Sequence, residues 1–313
     1  QGYSSAASDV YKRQGIKSVT NRKIFLYGEK NKMLNTYEVN LYGYFKLNKP
    51  IGSDGVLQCY IPEITSEVNA DRKMPVMLIL PGGGYSVTCD REAEAVAFRY
   101  LAKGFVCFAL RYSCSPLRYP IALTEACLAI EYICENAESL HSDKEKISAV
   151  GFSAGGHLCC MLGSVGKNRD IKLPFDIEKL QVKATILCYP VILYDKLYAN
   201  FGTFDNLCGD DEILKKRLSC EKLITSKSAP IFVFGTATDE IVNPLNALKI
   251  AESAAKNGVR FSIHIYGRGR HGVSTADNLV YRTDDENYFT PSAAEWVDLS
   301  VEWLKELGLT IDD

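Results

Sequence analysis

Ser153 lies in Gly151-Phe152-Ser153-Ala154-Gly155, directly after the apolar run Ile147-Ser148-Ala149-Val150 and ahead of a helix-compatible stretch. A serine on a tight strand-to-helix turn, with glycine two residues to either side, has the arrangement of a nucleophile elbow. Glycine is needed there because strand and helix approach too closely to leave room for a Cβ. A given serine has glycine at both offsets by chance about once in 200 cases, so the pattern depends on its context. Three further features supply that context. The apolar run Met74-Pro75-Val76-Met77-Leu78-Ile79-Leu80 ends in Pro81-Gly82-Gly83-Gly84-Tyr85, a loop that leaves backbone N–H groups bare. Bare donors of this kind stabilise the charge that develops on a tetrahedral intermediate, which nominates the N–H groups of Gly83 and Gly84 with that of Ala154. The strand-like Ile231-Phe232-Val233-Phe234-Gly235 runs into Thr236-Ala237-Thr238-Asp239-Glu240, and alternating Phe261 to Tyr266 is followed by Gly267-Arg268-Gly269-Arg270-His271-Gly272. Serine, acid and histidine in this order, each just past a strand, point to acyl transfer: His271 as base for Ser153, and Asp239 orienting His271.

The remaining candidates separate by position. His141 lies in the polar stretch His141-Ser142-Asp143-Lys144 and reads as a solvated loop residue, whereas His264 falls inside a strand. His157 follows Ser153 by four residues on the same helix, and the turn that exposes the serine carries His157 away into helix packing. Glu240 is the nearest rival to Asp239; Asp239 is preferred as the acid that precedes Ile241-Val242-Asn243-Pro244 and the next helix. Tyr85, next to the glycines, is a candidate substrate contact.

The elements that must position these residues follow from apolar periodicity. Lys23 to Tyr27, Tyr37 to Tyr44 and Gly55 to Tyr60 read as antiparallel entry strands. Strands at Met74 to Leu80, Phe105 to Tyr112, Ile147 to Val150, Val182 to Tyr189, Ile231 to Gly235 and Phe261 to Tyr266 alternate with helices at Glu92 to Lys103, Ile121 to Ala137, Ala154 to Ser164, Pro244 to Lys256 and Ala293 to Glu306. That alternation predicts an α/β fold with a mostly parallel central sheet and helices on both faces. Residues 193–228 are too long for a simple connection and predict a small lid-like insertion, in which Tyr194, Tyr198, Phe201 and Phe204 could line a cleft or pack the insertion itself.

Composition limits the classes. The chain has 313 residues, 47% of them hydrophobic, and no linker-like stretch, which predicts one α/β domain over 15–313. A formal charge of −2 with no basic block argues against nucleic acid as a partner. No apolar run is long enough to span a membrane. The eleven cysteines are odd in number and fall largely in core-like segments, which reads as reduced, buried thiols. Four scattered histidines without a CxxC pair argue against a zinc site, and the acyl-transfer chemistry requires no cofactor. Ser4-Ser5-Ala6-Ala7-Ser8-Asp9-Val10-Tyr11-Lys12-Arg13-Gln14 resembles the in-frame translation of a sequencing-library adapter, so residues 1–14 are set apart from the fold and the native start stays open.

The motifs carry a family resemblance. Leu80 to Tyr85, Leu110-Arg111-Tyr112-Ser113 with Tyr119-Pro120, Val150 to Leu158, Tyr189-Pro190-Val191, Asp239 to Pro244 and His271-Gly272 resemble the α/β-hydrolase esterases of the acetyl esterase and acetylxylan-esterase-like type, related to the hormone-sensitive-lipase branch. The stretches run from about residue 74 to about 304. Where related enzymes often carry His before the glycines, this chain has Pro81, which bears on loop geometry rather than on backbone donors. The resemblance implies an α/β-hydrolase fold and a cytoplasmic enzyme that removes O-acetyl groups from sugars or xylo-oligosaccharides. An amidase, formamidase or peptidase on the same fold, and a catalytically silent binding module, remain as alternatives. Oligomeric state is left open.

Overall fold

Seven consecutive buried residues, Met74–Leu80, form the strand around which the sheet is built. Such an unbroken apolar run marks a strand covered on both faces. The computed structural model describes residues 34–64, 67, 71–165, 170–177, 180, 182–195, 197–280 and 290–311. The adapter-like residues 1–14 and the expected strand Lys23 to Tyr27 lie outside them.

In chain order the elements are β1 (Leu34–Asn40), α1 (Leu41–Tyr44), β2 (Val56–Pro62), β3 (Met74–Leu80), α2 (Glu94–Leu101), β4 (Val106–Arg111), α3 (Ile121–Glu135), β5 (Ser142–Phe152), α4 (Ala154–Leu162), β6 (Ala184–Cys188), α5 (Phe201–Cys208), α6 (Glu212–Arg217), β7 (Ile231–Thr236), α7 (Leu245–Lys256), β8 (Phe261–Tyr266) and α8 (Trp296–Glu306). The eight strands form one sheet in the order β1-β2-β4-β3-β5-β6-β7-β8. β2 pairs antiparallel with both β1 and β4, and every later pairing is parallel.

Side chains alternate across the sheet, so each strand feeds two cores. Val76, Leu78 and Leu80 of β3 face one core, to which α3, α4 and α7 contribute residues such as Leu128, Leu158 and Ile250. Met77 and Ile79 face the opposite core, to which α2 contributes Val96 and Tyr100 and α8 contributes Trp296. The chain leaves β3 through α2 to reach β4 on one side, and leaves β5 through α4 to reach β6 on the other. β3 and β5 are neighbours, so their C-terminal ends flank a crevice where the connections diverge. The glycine loop follows β3 and Ser153 follows β5.

Three expectations change. The strand expected over Tyr37 to Tyr44 stops at Asn40, whose side chain accepts the Gly43 N–H at 2.8 Å and caps a helical turn that turns Leu41 and Tyr42 inward. The strand expected at Ile147 to Val150 is the inner part of the longer β5. Its polar start, from Ser142, still pairs with Met74 before a register shift. Residues 193–228 hold two capped helices: Asn200 accepts from Thr203 N at the start of α5, and Asp211 from Leu214 N at the start of α6. Among the described residues no helix is long and apolar enough to cross a membrane.

Candidate active site

β5 delivers Ser153 to the sheet's C-terminal edge in a left-handed backbone conformation, φ 53° and ψ −115°. Its neighbours hold it there: Ser153 N–H donates to the Cys188 carbonyl at 3.0 Å, and its own carbonyl accepts from His157 N and Val191 N. A Cβ at Gly151 would collide with the Gly155 carbonyl, and one at Gly155 with the Leu80 carbonyl. The glycines flanking the serine are therefore required by the close approach of α4 to β5 at Gly151 and to the end of β3 at Gly155. A non-glycine residue at positive φ costs on the order of 1 kcal/mol or more, which this packing must offset.

His271, on the loop after β8, places Nε2 2.8 Å from Ser153 Oγ and Nδ1 2.7 Å from Asp239 Oδ2. A carboxylate only accepts, so Nδ1 carries the proton and donates, leaving the Nε2 lone pair to accept the serine hydroxyl. Asp239 is fixed in turn, because its Oδ1 accepts from Ile241 N and Val242 N, both at 2.9 Å. Its side chain is 2% exposed, against 14% for His271. Glu240 faces outward, with Arg270 Nε 3.7 Å from its carboxylate.

The loop after β3 is held one peptide at a time. In Pro81–Gly82, the Pro81 carbonyl accepts the Tyr112 hydroxyl at 2.6 Å, and Gly82 N–H donates to Glu92 Oε2 at 2.7 Å. The Gly82 carbonyl then accepts from Cys89 N, and the Gly83 carbonyl from Ser86 N, Val87 N and the Ser86 hydroxyl. In a trans peptide the N–H points opposite to the C=O, so fixing these carbonyls turns the Gly83 and Gly84 N–H groups to the other side of the loop. Among the described residues neither these two N–H groups nor that of Ala154 donates to a protein acceptor. Gly83 has φ 130°, and a Cβ there would strike the Val87 carbonyl. Pro81 in place of histidine leaves the turn supported, with Tyr112 and Glu92 holding its first peptide.

Tyr85 requires a correction. It is 1% exposed, and its hydroxyl lies 3.0 Å from His157 Nδ1, so it anchors the loop from within the core instead of facing substrate. His157 Nε2 is 2.8 Å from the Leu218 carbonyl, an acceptor, so Nε2 bears the proton and Nδ1 accepts from Tyr85. Burial lowers the His157 pKa to about 4. His264 stacks on Phe232 and bonds Ser262 within β8, away from this cluster. Of the insertion's aromatics, Phe204 is fully buried and packs with Val191 and Val242, Tyr194 covers that group, Tyr198 packs on the main core, and Phe201 stays 49% exposed.

Sequence reasoning did not single out Glu92, Tyr112 or Asn206 as supports of the glycine loop; Asn206 donates Nδ2–H to the Gly84 carbonyl at 2.8 Å. Glu92 reads as an ordinary acid at a helix start, a place normally solvated. Among the described residues no group of three or more His, Cys, Asp or Glu is arranged to hold a metal ion.

Comparisons with known proteins agree with this architecture. The family described as BD-FAE matches residues 60–253. An acetyl ester-xyloside bifunctional hydrolase from Caldicellulosiruptor lactoaceticus superposes with a TM-score of 0.71 at 30% identity, covering 84% of this chain and 90% of that one. Endo-1,4-beta-xylanase B of Butyrivibrio fibrisolvens is 28% identical over 71% of this chain and 36% of its own length. An acetylxylan esterase of Xylanibacter ruminicola is 24% identical over 80% of this chain and 50% of its own. The chain thus spans half or less of the length of these two curated relatives. The strand order and the solved neighbours make the fold that of the α/β-hydrolases, as the sequence motifs imply.

Proposed function

The chain belongs to the BD-FAE family, and from that premise we propose that it is a serine carboxylic-ester hydrolase that removes O-acetyl groups from sugars or xylo-oligosaccharides. The observation that carries the reading is the Ser153–His271–Asp239 relay, with links of 2.8 and 2.7 Å, beside three unengaged backbone donors. His271 Nε2 takes the Ser153 proton as the oxygen attacks the ester carbonyl, and Asp239 stabilises the resulting imidazolium. The N–H groups of Gly83, Gly84 and Ala154 receive the oxyanion. His271 returns its proton to the leaving alcohol, and water then attacks the acyl-serine by the same route. No step needs a cofactor.

A short acyl group is favoured by packing. Val191, whose N–H bonds the Ser153 carbonyl, and Val242, whose N–H bonds Asp239, are buried against Phe204, and we read this apolar cluster as the wall of a short acyl pocket. Each methylene gains about 0.8 kcal/mol in an apolar pocket only until the wall is met. The sugar alcohol is supported by the likeness to the Caldicellulosiruptor acetyl ester-xyloside hydrolase and the Xylanibacter acetylxylan esterase. We infer a cytoplasmic setting and a small ester or oligosaccharide ester as the only partner the reaction requires. The test is kcat/KM along a chain-length series of nitrophenyl esters, beside acetate release from acetylated xylo-oligosaccharides. A maximum at acetyl to butyryl with acetate release is expected, and a maximum at octanoyl or longer overturns the assignment.

A further inference from the structure

Glu92 is 2% exposed, yet it lies in the charged stretch Asp90-Arg91-Glu92 between the glycine loop and α2. A buried carboxylate is costly unless its oxygens are satisfied. Both oxygens are engaged by parts of the candidate site. Oε2 accepts Gly82 N–H at 2.7 Å, the first hydrogen bond of the glycine loop. Oε1 accepts the Tyr189 hydroxyl at 2.7 Å, and that hydroxyl accepts Ser274 N–H at 2.9 Å, three residues past His271. The Tyr189 ring meets the His271 ring edge-on, with centroids 5.1 Å apart. The residue before Glu92 adds a parallel tie, since the Arg91 carbonyl accepts the Ser274 hydroxyl at 2.7 Å. Tyr189 itself stands at φ 37°, so its side chain reaches this position from a conformation that costs free energy to hold.

We infer that Glu92 is a positioning residue that couples the oxyanion loop to the histidine loop: one carboxylate sets the Gly82 peptide with one oxygen and, through Tyr189, the segment after His271 with the other. The inference rests on the acyl-transfer reading. Tetrahedral-intermediate formation needs the base and the oxyanion donors in register at the same time, and a misplacement near 1 Å costs about 100-fold. A carboxylate suits this place because both partners donate. In Glu92→Gln the amide nitrogen faces one of two donors, so one tie is lost while shape is kept.

The test measures kcat and KM for nitrophenyl acetate at 25 °C in wild type, Glu92→Gln, Tyr189→Phe and the double variant, with melting temperature and fluorophosphonate labelling of Ser153 alongside. Tyr42→Phe is the control, because Tyr42 also donates its hydroxyl to a buried carboxylate, that of Glu125, whose other donors are the N–H and hydroxyl of Ser113 and not groups of the glycine or histidine loops. The expected result is a kcat loss on the order of 10- to 100-fold for Glu92→Gln and about 3- to 10-fold for Tyr189→Phe, with KM within about threefold. The double variant should lose less than the product of the two singles, and labelling should slow in step with kcat. Tyr42→Phe should lower only the melting temperature. Should Glu92→Gln fail to fold, Tyr189→Phe alone decides by the same split. Folded variants that lose melting temperature but keep wild-type kcat overturn the inference, as do losses that simply multiply. Wild-type protein that is not labelled at Ser153 defeats the acyl-transfer reading instead.

Discussion

His157 and His271 each have a partner at both ring nitrogens, but the partners are arranged in opposite senses. Around His157 the proton sits on Nε2, committed to the Leu218 carbonyl, and Nδ1 accepts from Tyr85. Around His271 the proton sits on Nδ1, committed to Asp239, and Nε2 accepts from Ser153. The first ring is wholly buried, with no carboxylate at either nitrogen to stabilise a positive charge, and its pKa falls to about 4. The second has a carboxylate behind it and a partly open face. A histidine becomes a base through the group that stabilises its charged form and through access to the proton it takes, not through nearness in sequence to the serine. His157 is closer to Ser153 along the chain, yet its geometry suits it to holding Tyr85 and the glycine loop.

The contrast is broken most severely at the serine and the two rings. Ser153→Ala and His271→Ala should each lower turnover by at least about three orders of magnitude in folded protein. His157→Ala should instead lower the melting temperature and leave most of kcat, because it removes a buried support. Loss of turnover in His157→Ala with retention in His271→Ala would reverse the assignment. Next in size is the acid. Asp239→Asn should cost about two to four orders of magnitude, since an amide at that place favours the other tautomer of His271. Glu240→Gln, changing an exposed carboxylate, should stay within about twofold. Steady-state kinetics on nitrophenyl acetate check both.

A smaller effect sharpens the comparison through pH. His157 has a native pKa of about 4 against an ordinary 6.5, so between these values the unfolded chain binds a proton that the native state excludes. Its contribution is present above about pH 6.5 and is lost as pH falls toward 4, on the order of 3 kcal/mol. Glu125, buried under Tyr42 and Ser113, runs the other way: burial raises its pKa from 4.5 to about 7. The native state then holds a proton that the unfolded chain releases, so stability from this group grows as pH falls from about 7 to 4.5. The two largely cancel in the native protein. His157→Gln should tilt the urea midpoint toward greater stability at pH 5 than at pH 7, relative to wild type, and Glu125→Gln should tilt it the opposite way. Equal slopes in all three proteins would contradict the protonation states given to the two groups.

Legibility followed the physics of each segment. β3 and β8 have the limits their apolar patterns imply, because β3 is buried on both faces and β8 alternates along an edge. The convergence of Ser153, Asp239 and His271 is legible because each sits just past a strand, at the edge where the ends of a parallel sheet meet. α5 and α6 do not show in the apolar periodicity. They are short, and aromatics, charges and Gly202 obscure their periodicity, although Asn200 and Asp211 carried the capping signal. Glu92 and Tyr85 were hidden for opposite reasons. A charged residue at a helix start gives no sign of burial, and a tyrosine beside a glycine loop gives no sign that its hydroxyl is already engaged in the core.

The most direct measurement is intact-mass and peptide-mapping analysis after treatment with a fluorophosphonate. The account predicts one adduct per chain, on Ser153, formed slowly in His271→Ala, much faster in His157→Ala than in His271→Ala, and not at all in Ser153→Ala. An unmodified wild-type chain, or an adduct on any other residue, would contradict it.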